Sequence, residues 1–152
     1  MPKRGFTLTE VLIAIAIISI IAAIAIPATM KAKRKSDETA AIALVTDMAI
    51  QLRTCKTITE TYPADVYPGK EPVGCANISW PQASKSPLKG TLDYENWEMG
   101  DGARWIGLTY MVGDRIGGVR NPQYHNATKG TQILRGSDGQ MTIVYGIAYY
   151  QP

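Results

Sequence analysis

Gly5 to Pro27 reads GFTLTEVLIAIAIISIIAAIAIP. Between Val11 and Ile26 the one non-hydrophobic residue is Ser19, yet a carboxylate, Glu10, stands at the leading edge. As a helix, Phe6 to Ile26 would be about 31 Å long at 1.5 Å per residue, close to the thickness of a bilayer's hydrocarbon layer. Lys3 and Arg4 precede the run, as in a secretory signal peptide. That reading fails at both ends, because the run is too long, no small-x-small site follows it, and an acid opens it. A plain signal anchor leaves Glu10 unexplained. A carboxylate in the bilayer core costs about 3 kcal/mol on insertion scales, so it is kept where it is paired or functional.

The totals frame this segment. The chain has 152 residues, one domain's worth or one domain plus an anchor. Formal charge is +3, and Lys3 and Arg4 supply two of the 16 basic residues, leaving 14 against 13 acids. Such a balance exerts no strong pull on nucleic acid or a membrane surface. Hydrophobic content is 45%, ordinary in amount but concentrated between Val11 and Ile26. From Ala28 onward about 125 residues remain, enough to bury a modest core.

MPKR-G-FTLTE, followed by an apolar stretch ending in AAIAIP, resembles the class III leader of type IV pilins and pseudopilins. The resemblance covers roughly residues 1–35. It implies that a membrane-embedded prepilin peptidase cuts between Gly5 and Phe6 and methylates the new amine of Phe6. Glu10 matches the family's acid at the fifth mature position, and Pro27 its helix-kinking proline. Thr9 stands where an aliphatic residue is usual, and Ser19 where glycine is common. The implied organisation is a leader at 1–5, a transmembrane and filament-core helix at 6–27, and a periplasmic or extracellular head at 28–152. Implied partners are other pilins in a homo-oligomeric helical filament, the peptidase, and an inner-membrane assembly platform with its motor. The precursor would cross the inner membrane once before joining an extracellular pilus.

Physical chemistry gives the cut a consequence for Glu10. Cleavage would create a cationic amine one helical turn away, at the positive end of the helix dipole. One subunit could satisfy Glu10 locally. With helices packed side by side, Glu10 could instead meet the Phe6 amine of a neighbour, and a subunit out of register would leave both charges unpaired. The family resemblance favours the second arrangement.

Lys31, Lys33, Arg34 and Lys35 follow the apolar run, so basic count alone would keep the following domain in the cytoplasm. Long domains translocate largely regardless of charge, and the resemblance implies dedicated machinery, which places the head outside. The basic run reads as a solvated collar at lipid headgroups rather than a DNA contact.

Past Pro27 the sequence turns polar but keeps helical spacing. Ala41, Leu44 or Val45, Met48, Leu52 and Cys55 recur every three or four residues, with Asp47, Gln51 and Arg53 off that face. No glycine interrupts Phe6 to Thr59, which predicts one long helix, kinked at Pro27. Pro63, Pro68, Pro72, Pro81 and Pro87 make Tyr62 to Leu88 a long loop. Strands are expected at Arg104–Val112 and Met141–Tyr150, with a shorter one at Thr131–Leu134 and a weaker one at Gly90–Trp97. Asp101-Gly102, Gly117-Gly118 and Asp138-Gly139 are turn signals, the last suited to a hairpin joining Ile133 and Ile143. The expected fold is α+β: a long helix whose second half is covered by a small antiparallel sheet, the ladle shape of a pilin.

Cys55 and Cys75 are the only cysteines. No spacing suggests zinc. Export to an oxidising compartment favours a disulfide that pins the proline-rich loop to the helix, over two separate buried thiols.

Nothing suggests catalysis. His125, the single histidine, lies in the polar stretch YHNATKG, and no nucleophile elbow, phosphate loop or metal spacing appears. No cofactor or metal is called for. Asp93, Glu95, Glu98 and Asp101 raise calcium, but a solvated strand and turn is the expected reading, since calcium wants converging oxygens. Asn77 and Asn126 match the glycosylation triplet, a weak signal in a bacterial protein. Lys85 to Arg135 holds seven basic residues, against six acids from Asp93 to Asp138, so no basic stripe marks a nucleic-acid surface. Three functions are therefore weighed: a structural subunit of a type IV pilus serving adhesion, motility or DNA uptake; a type II secretion pseudopilin in a periplasmic pseudopilus; and a DNA-binding minor pilin. Any surface function is expected in the glycine-rich segment Gly113 to Gly139.

Overall fold

The computed structural model describes residues 5–75, 78–98, 102–113, 130–135 and 140–150. Its first element, α1 (Leu8–Thr59), runs unbroken for 52 residues, as the glycine-free sequence predicts. Helical structure continues through Pro27, whose missing N–H deprives the Ala23 carbonyl of its usual donor. Near that point the Thr29 hydroxyl donates to the Ile26 carbonyl at 2.8 Å. At the far end Glu60 takes a left-handed conformation, φ 64°, which stops a helix where glycine would more often serve.

The chain divides into two compact units, one ending at Asp37 and one beginning at Glu38. In the first, the apolar part of α1 buries none of its side chains. Ile24, for example, is 71% exposed. A helix that is apolar all round and covered by nothing is at home in lipid or among other apolar helices.

The second unit holds the rest of α1 and an antiparallel sheet in the order β1-β2-β4-β3. Its strands are β1 (Thr91–Glu98), β2 (Arg104–Val112), β3 (Gly130–Arg135) and β4 (Met141–Tyr150), within a residue or so of the expected bounds. β3 and β4 pair antiparallel, with Ile133 opposite Ile143, while the turn at Asp138-Gly139 falls outside the described residues. From α1, Ala41, Val45, Met48, Ala49, Leu52 and Cys55 are buried. They form one core with Leu92, Tyr94, Leu108, Tyr110 and Ile143 of the sheet. Each large apolar side chain so buried contributes about 1.5–3 kcal/mol.

β2 is buried on both faces from Trp105 to Met111, as a central strand can be. Its second face is closed partly by Trp105, whose indole lies over Gly107. A Cβ at Gly107 would sit 2.2 Å from Trp105 Cη2 and 2.7 Å from the Tyr145 carbonyl oxygen. Glycine is therefore required here for close approach rather than for a turn. Register between β2 and β4 shifts at this point, between Ile106 and Gly107. At the edge strand β3, Arg135 makes a two-pronged contact with Glu38 at 2.7 and 2.9 Å, tying the sheet to the point where α1 enters the folded unit.

The proline-rich stretch is a loop carrying two single 3-10 turns, Ala83–Lys85 and Pro87–Lys89. Its first half lies along the outer edge of β1. Gly69 donates to the Leu92 carbonyl at 2.8 Å, and the Asn96 amide donates to Asp65 at 3.0 Å. Backbone groups that an edge strand would leave open are thus paired. The Tyr94 hydroxyl donates to the Pro63 carbonyl at 3.0 Å, and the Asn96 side chain donates to the same oxygen.

Burial pushes the Tyr94 phenol well above its ordinary value, and it pushes Tyr62 and Tyr110 up as well. The unfolded chain, titrating at about 10, therefore loses these protons before the native state does. Their contribution to stability is intact below that pH and falls as pH rises through the native values. Thermal melts across pH 8–12 should show this alkaline loss. Tyr94→Phe should cost about 1 kcal/mol at neutral pH and flatten the alkaline decline; an unchanged slope would remove Tyr94 as its source.

Candidate processing and assembly site

Thr7 and Glu10 organise the N-terminal end of α1. The Thr7 carbonyl accepts the first helical bond, from the Val11 amide at 3.3 Å. Glu10 Oε2 accepts from both the Thr7 amide and the Thr7 hydroxyl, each at 2.8 Å, and the Glu10 amide donates to the Thr7 hydroxyl at 3.3 Å. This is a reciprocal capping box, Thr-x-x-Glu, which satisfies donors that a helix end leaves open. The acid therefore has a partner within its own chain before any amine exists. The pattern stands in the sequence as Thr7-Leu8-Thr9-Glu10, a helix-start signature that needs no charged partner for Glu10. Glu10 Oε1 has no partner among the described residues.

The cap also fixes where the helix begins. Gly5, Phe6 and Thr7 precede it without regular structure, and all three are exposed. The Phe6 side chain is 89% exposed, and a Cβ on Gly5 would meet nothing within 4 Å. The Gly5–Phe6 peptide thus lies outside the helix, with both residues exposed. Further along, Ser19 satisfies itself by donating to the Ile15 carbonyl at 2.7 Å, so a hydroxyl can sit in an apolar helix without an orphaned donor. Lys31, Lys33, Arg34 and Lys35 are all exposed on α1.

In the folded unit Cys55 and Cys75 are joined, with Cα atoms 5.5 Å apart. The acids of β1 correct one expectation. Asp93 and Glu95 are not solvated; they are 5% and 6% exposed. Alternation along β1 puts them opposite the Leu92–Tyr94 face. Glu95 accepts from the Trp97 indole at 3.0 Å and from the Thr109 hydroxyl at 2.7 Å. Glu98 lies 4.0 Å from Arg104 at the surface. Asn77, Asp101, His125, Asn126 and most of Gly113 to Gly139 fall outside the described residues. Among the described residues no three potential metal ligands lie together.

Residues 1–26 match the family model of the prokaryotic N-terminal methylation motif. No curated protein and no solved structure matches the chain. An exposed Gly-Phe peptide, a capped acid and an uncovered apolar helix lie in or directly beyond that motif. The chain therefore carries an N-terminal methylation motif of the kind that characterises type IV pilin and pseudopilin leaders, ahead of an α+β fold.

Proposed function

We propose that the chain is a structural filament subunit: a type IV pilin cut between Gly5 and Phe6, methylated on the Phe6 amine, and polymerised through its apolar helix. The observation that carries this reading is the open Gly5–Phe6 peptide beside a capped helix whose apolar side chains nothing covers. Such a helix needs a bilayer first and other helices afterwards. Cleavage moves the first cation to Phe6, one turn from Glu10, and Glu10 Oε1 is available to accept it. In the packed filament that amine belongs to a neighbouring subunit, so register and charge pairing are satisfied together. Prepilin peptidase, an inner-membrane platform and a motor are the partners this process requires.

Mass spectrometry of the mature protein tests the proposal. The expected N-terminus is Phe6, heavier by one methyl group, and a mature chain beginning elsewhere would sink it. A pseudopilin would be processed in the same way. Deletion separates the two: loss of long surface filaments marks a pilus subunit, whereas loss of secretion with no such filaments marks a pseudopilus.

A further inference from the structure

A cavity of about 330 Å³ lies on the folded unit between α1 and the second half of the proline-rich loop. Its apolar wall is Leu44, Trp80, Pro81 and Pro87, and its polar lining includes Ser79, Gln82 and Lys85. These polar groups are uncommitted: among the described residues the Ser79 hydroxyl, the Gln82 carboxamide and the Lys85 ammonium have no protein partner. The Trp80 side chain is half-buried beside them.

The frame around these groups is fixed. The Ser79 amide donates to Gln51 of α1 at 3.2 Å. The Ser86 hydroxyl donates to the Gln82 carbonyl at 2.9 Å, and the Tyr110 hydroxyl donates to the Pro87 carbonyl. Leu88 and Lys89 are both forced to positive φ, 53° and 52°, and Gly90 is pressed so closely to Tyr110 that a Cβ would lie 2.3 Å from its ring. Strained backbone held in place by its surroundings is a feature of binding sites. Here it directly follows Pro87, the last residue lining the cavity.

We infer that this cavity binds one carboxylated sugar residue, a uronate-type pyranose. The indole and the two prolines offer flat apolar surfaces to the C–H faces of a ring. Ser79 and Gln82 can exchange hydrogen bonds with ring hydroxyls. The lining holds one cation and no acid, so Lys85 selects a carboxylate. The volume lies at the low end of ligand cavities, roughly 300–1,000 Å³, which suits a single ring rather than an extended proline-rich peptide. This inference applies equally to a pilus and a pseudopilus subunit, and its test does not depend on assembly.

The full chain in detergent micelles can be titrated with glucuronate and followed by saturation-transfer NMR, with glucose, acetate and triproline as comparisons. The expected result is saturable transfer to the glucuronate ring protons, binding about tenfold weaker for glucose, and none for acetate or triproline. Lys85→Gln should reduce glucuronate binding to the level of glucose, and Gln82→Ala should weaken both sugars. Both side chains are exposed, so both variants are expected to fold. The inference is overturned by no saturable glucuronate signal, by acetate binding as well as glucuronate, by triproline occupying the site, or by glucuronate binding that neither variant alters.

Discussion

Glu10→Ala is expected to give a subunit that is cleaved, membrane-inserted and correctly folded in its head, but unable to polymerise. Two roles for Glu10 must be separated, because the carboxylate both caps its own helix and, in the proposed filament, receives an amine. Losing a helix cap costs about 1 kcal/mol, too little to stop assembly through a long apolar helix. Leaving a charge unpaired in an apolar core costs about 3–5 kcal/mol, enough to abolish a repeating contact. Glu10→Gln distinguishes the roles, since glutamine at this position still closes a capping box but carries no charge. Thr7→Val is the complement: it removes the hydroxyl that Glu10 bonds and keeps the charge. The expected order of filament yield, measured in sheared fractions and by electron microscopy, is wild type, then Thr7→Val somewhat reduced, then both Glu10 variants near zero. Normal yield from Glu10→Gln would remove charge pairing from the mechanism and leave the cap as the residue's purpose.

Much of the folded unit was legible because its elements are bounded by strong local signals. RWIGLTYMV and MTIVYGIAYY are runs of β-branched and aromatic residues, and both became strands with the expected bounds. The buried stripe of α1 followed its helical spacing from Ala41 to Cys55. Long-range partnerships were not legible. Asp93 and Glu95 look like surface acids in isolation; only the pairing of β1 with β2 brings Thr109 to Glu95, while the Trp97 indole folds back from two residues away. The loop reads as proline-rich and irregular, but nothing local states that Pro63 will receive Tyr94 or that Ser79 will find Gln51. At the N-terminal site the missed feature was local. Thr7-x-x-Glu10 is a helix-start signature in its own right, obscured because an acid beside a long apolar run first suggests a missing charge.

Removing the disulfide with Cys55→Ser and Cys75→Ser together is expected to destabilise the folded unit by about 3 kcal/mol, from the entropy released when a loop of this length opens in the unfolded chain. Against a total of about 5–15 kcal/mol for a domain, that is a large share, and it corresponds to a melting point lower by about 10 °C. Both half-cystines are 7% exposed and belong to the core cluster, so some native packing is also at stake. Denaturant titration of the oxidised, reduced and double-serine forms divides the two contributions. If the bridge acts on the unfolded state, its loss should expand that state and raise the m-value. If it acts through native contacts, the midpoint should fall at constant m. The first outcome is expected, because the far half of the loop keeps its other attachments, Ser79 to Gln51 and Pro87 to Tyr110. Those same attachments frame the cavity at Trp80. Sugar binding in the double-serine variant should therefore survive at temperatures where the unit remains folded, even as its melting point drops.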